Sequence, residues 1–169
     1  NSGMSKSRVK RTLVGDFLVS PKKAGLAVDV ARKEKEIIGI PDKKDCSVYI
    51  SIPFCPTRCL YCSFTSNQKG PDEIQKYLDS LLEEIEYAGN AMKETGMYAE
   101  SIYIGGGTPT AVSADQLRQI MQAVKDNFDL SKVLEYTVEA GRPDSITREK
   151  LEVIWKHNVT RISINPQTM

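Results

Sequence analysis

Apolar and polar positions change period several times along the chain, and each change marks an element. Val48-Tyr49-Ile50-Ser51-Ile52 is a short β-branched and aromatic run and predicts a strand. Ile74, Tyr77, Leu78, Leu81, Leu82, Ile85 and Ala88 then recur at helical steps, with Pro71 suited to the first turn. Ser101-Ile102-Tyr103-Ile104 predicts a second strand. Leu117, Ile120, Met121 and Val124 share one face of the helix after it, and Ser113 and Gln116 stand at capping-box spacing at its start. A third strand over 135–138, a helix holding Leu151, Ile154 and Trp155, and a fourth strand over 161–164 complete the alternation. Repeated βα units predict a parallel sheet. An (βα)8 barrel takes about 250 residues, so the expected fold is α/β: a partial (βα) barrel over residues 46–169, truncated after strand four. A small helical segment over 1–45 precedes it, where Ser20-Pro21 with Leu26, Val28, Val30, Ala31, Ile37 and Ile38 predicts a capped helix.

Composition narrows the class. The 169 residues are 40% hydrophobic and 27% charged, the balance of a globular domain, which excludes disordered and collagen-like chains. The net charge of +1 hides an asymmetry, because residues 1–45 carry 11 basic and 6 acidic side chains. Lys6, Arg8, Lys10 and Arg11 read as a solvated basic stretch, and no nucleic-acid partner is expected. No apolar run approaches the roughly 18 residues of a membrane span, and the first 30 residues lack a signal-peptide pattern. The expected location is cytoplasmic, where disulfides are not expected among the four cysteines and the three crowded into eight positions point to metal or redox chemistry.

Three of those cysteines form Cys55-Pro56-Thr57-Arg58-Cys59-Leu60-Tyr61-Cys62, directly after the first strand. Thiolates suit an iron–sulfur cubane, and three of them leave one iron free to bind a small molecule. The alternative is a closed zinc site with Cys46 or His157 as fourth ligand. Cys46 lies before the strand, at the expected opposite end of the barrel, and His157 suits a helix C-terminus. Gly105-Gly106-Gly107-Thr108-Pro109 follows the second strand, and its glycines let a backbone approach a ligand closely. Glu139 ends the third strand and Gln167 lies just past the fourth. All four features fall beyond the C-terminal ends of successive strands, the face where α/β barrels carry active sites. Tyr49 points into the barrel or simply packs.

The run Tyr49-Ile50-Ser51-Ile52-Pro53-Phe54-Cys55, continued by Cys59-Leu60-Tyr61-Cys62 and Gly105-Gly106-Gly107-Thr108-Pro109, resembles the radical S-adenosylmethionine superfamily. Val138-Glu139-Ala140-Gly141-Arg142-Pro143-Asp144 and the stretch from Arg161 to Met169 resemble the oxygen-independent coproporphyrinogen III oxidases, in particular the coproporphyrinogen dehydrogenase branch. The resemblance implies a [4Fe–4S] cluster on Cys55, Cys59 and Cys62, and S-adenosylmethionine held by Gly106 and Gly107, lined by Tyr49 and Tyr61 and contacted by Glu139. Members also bind a second S-adenosylmethionine, and Thr108 and Gln167 match positions associated with it. The implied reaction is oxidative decarboxylation of coproporphyrinogen III to protoporphyrinogen IX in haem biosynthesis, with an electron donor such as flavodoxin or ferredoxin. The alternatives are a haem chaperone, a haem-ring-opening relative and a zinc-stabilised structural module. Ser51 stands where the characterised oxidases have histidine, and Tyr61 replaces a phenylalanine. The arginine and aspartate expected on later strands lie beyond Met169, so no catalytic residue is assigned here.

Overall fold

The computed structural model describes residues 3–39, 42–64 and 66–165, and the chain divides into two compact units, Asn1–Lys43 and Lys44–Met169. The first is a pair of helices, α1 (Lys6–Gly15) and α2 (Pro21–Ile38). Ser5 and Ser20 cap them by accepting from the Arg8 and Lys23 backbone N–H groups, and Pro21 occupies the first turn of α2. The basic stretch read as a solvated tail is therefore helical, although Lys6, Arg8, Lys10 and Arg11 bear no buried side chain. Only Ala24 and Val28 of α2 are buried, whereas Leu26, Val30, Ile37 and Ile38 are exposed.

The second unit is a four-stranded, wholly parallel sheet in the order β1 (Asp45–Ile52), β2 (Tyr98–Gly106), β3 (Glu135–Glu139) and β4 (Arg161–Ser163). It is joined by α3 (Pro71–Thr95), α4 (Ala114–Asn127) and α5 (Arg148–Lys156). Each helix start has a local cause. Pro71 opens α3, Ser113 and Gln116 form a reciprocal capping box on α4, and Thr147 accepts from the Lys150 N–H on α5. Gly96 in the left-handed conformation ends α3.

Side chains alternate across the sheet. Ile50, Ile52, Ile102, Ile104, Tyr136 and Val138 are buried with Leu78, Leu81 and Ile85 of α3, Leu117, Ile120, Met121 and Val124 of α4, and Val153 and Ile154 of α5. The opposite face carries Tyr49, Ser51, Tyr103, Thr137, Glu139 and Arg161 in aligned register, the composition of a barrel interior. Two expectations are corrected here. Trp155 does not share the core face of α5, since it is 76% exposed and Val153 is buried in its place. β2 runs on into the glycine loop, because Gly105 and Gly106 pair with Ser51 and Ile52 through backbone atoms that need no side chain.

Candidate functional site

The cysteine loop leaves the sheet at the end of β1 and is pinned where it returns. Asn67 N–H donates to Pro53 O (3.2 Å) and Cys55 N–H donates to Asn67 O (3.1 Å), so the cysteines sit on an excursion with a closed base. Phe54 anchors that base in the core, edge-on to Tyr77 with centroids 5.1 Å apart, and the Tyr77 hydroxyl donates to Ser51 O at 2.7 Å. Within the excursion, Cys62 N–H donates to Cys59 O at 3.1 Å.

The glycine loop lies against this base. Gly107 N–H donates to Ile52 O (2.9 Å) and Thr108 N–H donates to Phe54 O (2.8 Å). Gly106 has φ +121°, and a Cβ there would meet Ile52 O at 2.8 Å. At Gly107 a Cβ would stand 2.7 Å from Phe54 O and 2.8 Å from Cys55 Sγ, so both positions require glycine for close approach. Thr108 is 1% exposed and its hydroxyl donates to Cys55 Sγ at 3.6 Å.

The third loop adds charge. The Tyr103 hydroxyl donates to Glu139 Oε1 at 2.5 Å and fixes that carboxylate at the sheet end. The same bond, with the cost of desolvation, pushes the Tyr103 phenol up to about 12. Tyr49 stacks on Tyr103 with centroids 5.7 Å apart and planes 12° apart. Arg142, three residues beyond β3, donates from Nη1 to Thr57 O (3.2 Å), Thr57 Oγ1 (2.7 Å) and Cys59 Sγ (3.7 Å).

Together these loops enclose a cavity of about 230 Å³ lined by Cys55, Cys59, Cys62, Tyr61, Gly106, Gly107, Thr108, Glu139 and Arg142, among others. A larger groove of about 570 Å³ runs between α3 and α4 but is lined by helix-surface side chains such as Glu83, Arg118 and Gln122. Tyr49 is not among the residues lining the cysteine cavity; it stacks on Tyr103, which bonds the lining residue Glu139. Gln167 lies outside the described residues. Neither Tyr103 nor Arg142 was singled out from sequence. Arg142 follows Glu139 by three positions, and a cation so close past a strand end facing thiols was the available signal. For Tyr103 the signal was its alternation with the apolar Ile102 and Ile104.

The donor set fits a cluster. Cys55, Cys59 and Cys62 are free, half-buried thiols, hydrogen-bond donors reach two of the three sulfurs, and the cradle beside Cys55 has room only for glycine. Among the described residues no three His, Cys, Asp or Glu side chains converge on a single ion position. Thiolates that each bind a different iron do not need to do so. The fourth ligands of a zinc site are placed elsewhere. The Cys46 thiol donates to Tyr98 O at 3.3 Å at the start of β1, roughly 20 Å below the rim at ~3.3 Å per strand residue. His157 caps α5, with Nδ1 donating to Val153 O at 2.8 Å.

Residues 49–169 match the Radical SAM superfamily. The chain belongs to that superfamily. Among curated proteins it is 38% identical, over 99% of its length, to the oxygen-independent coproporphyrinogen-III oxidase-like protein HemZ of Bacillus subtilis. It is 37% identical over 75% of its length to the heme chaperone HemW of Lactococcus lactis, and 33% identical over 72% to the anaerobilin synthase of Escherichia coli O157:H7. It spans 34%, 31% and 27% of these relatives' own lengths. The solved structure of Escherichia coli coproporphyrinogen III oxidase, described as a radical SAM enzyme, superposes with a TM-score of 0.64 at 24% identity, covering 79% of this chain and 30% of that one. With the family match over residues 49–169, that likeness in fold makes the second unit a partial radical-SAM (βα) barrel. Among the described residues no helix is long and apolar enough to cross a membrane.

Proposed function

We propose that the protein to which this chain contributes is a radical-SAM oxidoreductase acting on coproporphyrinogen III, with Cys55, Cys59 and Cys62 holding a [4Fe–4S] cluster. The observation that carries the reading is the meeting of three thiols, a side-chain-free glycine cradle and the fixed Glu139 carboxylate around one cavity. The HemZ-like relative and the fold of the Escherichia coli oxidase support the choice of substrate class. When bound, the cluster supplies single electrons for reductive cleavage of S-adenosylmethionine to methionine and a 5′-deoxyadenosyl radical.

The chain's own residues bind and orient. Gly106 and Gly107 leave backbone room for the methionyl end of the cofactor, and Glu139, held by Tyr103, accepts hydrogen bonds from its ammonium or ribose hydroxyls. Tyr61 and, through Tyr103, Tyr49 supply aromatic surface. Thr108 and Gln167 are assigned to a second S-adenosylmethionine. In the net reaction each propionate loses carbon dioxide and two electrons to become a vinyl group. One electron leaves with the hydrogen atom taken up by the 5′-deoxyadenosyl group, and the other passes to an external one-electron acceptor. A flavodoxin- or ferredoxin-type donor supplies the electron for cofactor cleavage, and residues 46–169 form the barrel half that begins the site.

The heme-chaperone relatives favour haem handling as the second reading. The test is anaerobic reconstitution with iron and sulfide, followed by EPR of the dithionite-reduced protein with and without S-adenosylmethionine. A reduced-cluster signal that shifts on adding S-adenosylmethionine and disappears in Cys59→Ala is expected. Bound zinc, or a signal that ignores S-adenosylmethionine, refutes the radical reading. In the full-length protein, tight haem binding without turnover of coproporphyrinogen III decides for the chaperone.

A further inference from the structure

We propose that Arg142 is the positioning residue of the cysteine loop, fastening it at Thr57 and Cys59 and setting a fixed positive charge beside one ligating sulfur. The guanidinium uses both of its edges. Nε and Nη2 donate to the Asp144 carboxylate at 2.9 and 2.5 Å, which sets the plane of the group. Nη1 is then aimed across to the cysteine loop, where it meets Thr57 O, Thr57 Oγ1 and Cys59 Sγ. The Arg142 side chain is only 16% exposed, so these bonds are partly shielded from competing water.

The backbone that carries Arg142 is itself anchored. The Ser145 hydroxyl donates to Arg142 O at 2.7 Å. Having used its one hydrogen, it accepts from the Thr110 hydroxyl at 2.6 Å. Lys150 Nζ closes the joint by donating to Thr110 O (2.6 Å) and Ser145 O (3.0 Å). Thr110 belongs to the glycine loop, which is bonded to the base of the cysteine loop at Ile52 and Phe54. The loops after β1, β2 and β3 thus form a closed ring of contacts, and Arg142 is the member that reaches the cysteine excursion between its pinned base and Cys62. A lysine could carry the charge but not the fork that spans Asp144 and Thr57 together.

Two of the three sulfurs consequently receive a donor from a different loop, Cys55 from Thr108 and Cys59 from Arg142. Donors and positive charge at a cluster's sulfurs favour the reduced, more negative state. This electronic half rests on the cluster reading given above, whereas the positioning half concerns the metal-free chain.

The test therefore has two arms. In the metal-free chain, hydrogen exchange of residues 57–62 is expected to accelerate at least about tenfold in Arg142→Gln and equally in Arg142→Lys, with protection of α4 unchanged. Unchanged exchange in Arg142→Gln overturns the proposal. Should either variant lose α4 protection, Thr57→Val, which removes a single acceptor, decides: faster loop exchange supports the clamp and unaltered exchange rejects it. After reconstitution, the reduction equilibrium of the cluster is expected to weaken about tenfold in Arg142→Gln, about 59 mV for one electron, and to be largely kept in Arg142→Lys. An unmoved potential in Arg142→Gln removes the electronic half. Failure of the parent chain to assemble any cluster would count against the proposed function while the exchange arm still judges the clamp.

Discussion

On the helix-covered face of the sheet, Ile104, Leu117, Ile120 and Val138 are completely buried and are held by apolar contact with neighbours from three helices. At the rim above, the parts are held by directed bonds. Gly107 and Thr108 reach the base of the cysteine loop, Tyr103 holds Glu139, and Arg142 holds Thr57 and Cys59. Burial is non-directional and tolerates change of shape, whereas the rim depends on a few atoms at fixed distances. The covered face therefore sets whether the domain folds, and the rim sets whether the loops meet.

Substitutions can break this contrast. The largest expected loss of stability is on the covered face, where Leu117→Ala should cost about 2–5 kcal/mol through lost burial and a residual cavity, read by urea denaturation. Gly107→Ala comes next, at about 1–3 kcal/mol, because its Cβ has no space between Phe54 O and Cys55 Sγ. It should also lower iron uptake, which Leu117→Ala at permissive temperature should not.

Tyr103→Phe should have a smaller effect, present at neutral pH and fading at alkaline pH. The folded-state phenol is raised to about 12 from an ordinary value near 10, so the neutral form is favoured by folding. Its contribution is fully present below pH ~10 and is lost as pH rises through about 12. Difference ultraviolet titration should show a tyrosinate transition at about 12 that the variant lacks, and the variant's stability should fall less over that interval. Trp155→Ala should change stability by no more than about 0.5 kcal/mol despite the size of the side chain, since the ring is exposed. A loss comparable to that of Leu117→Ala would show that the face on which Trp155 sits is covered in the whole protein.

The βα alternation was legible because each element has its own period, and the capping box on α4 because it is local in sequence. The cysteine and glycine loops were legible for the same reason, as each is a contiguous run placed after a strand. Helix α1 was missed because a basic, weakly apolar stretch with no buried residue has no periodic stripe to find. Trp155 was misplaced because a wide apolar stripe drawn from sequence does not fix which edge of a short helix faces the sheet.

The sequence alone determined the order of elements, the parallel sheet and the position of Cys55, Cys59, Cys62, Gly106, Gly107 and Glu139 along the chain, since these follow from local patterns and from strand direction. Tertiary structure decided what those residues touch. Arg142 meets Cys59 across 83 positions and Thr108 meets Cys55 across 53. Pairings at such separation leave no local trace, because they are made only when parallel strands in register bring the ends of distant segments onto one rim.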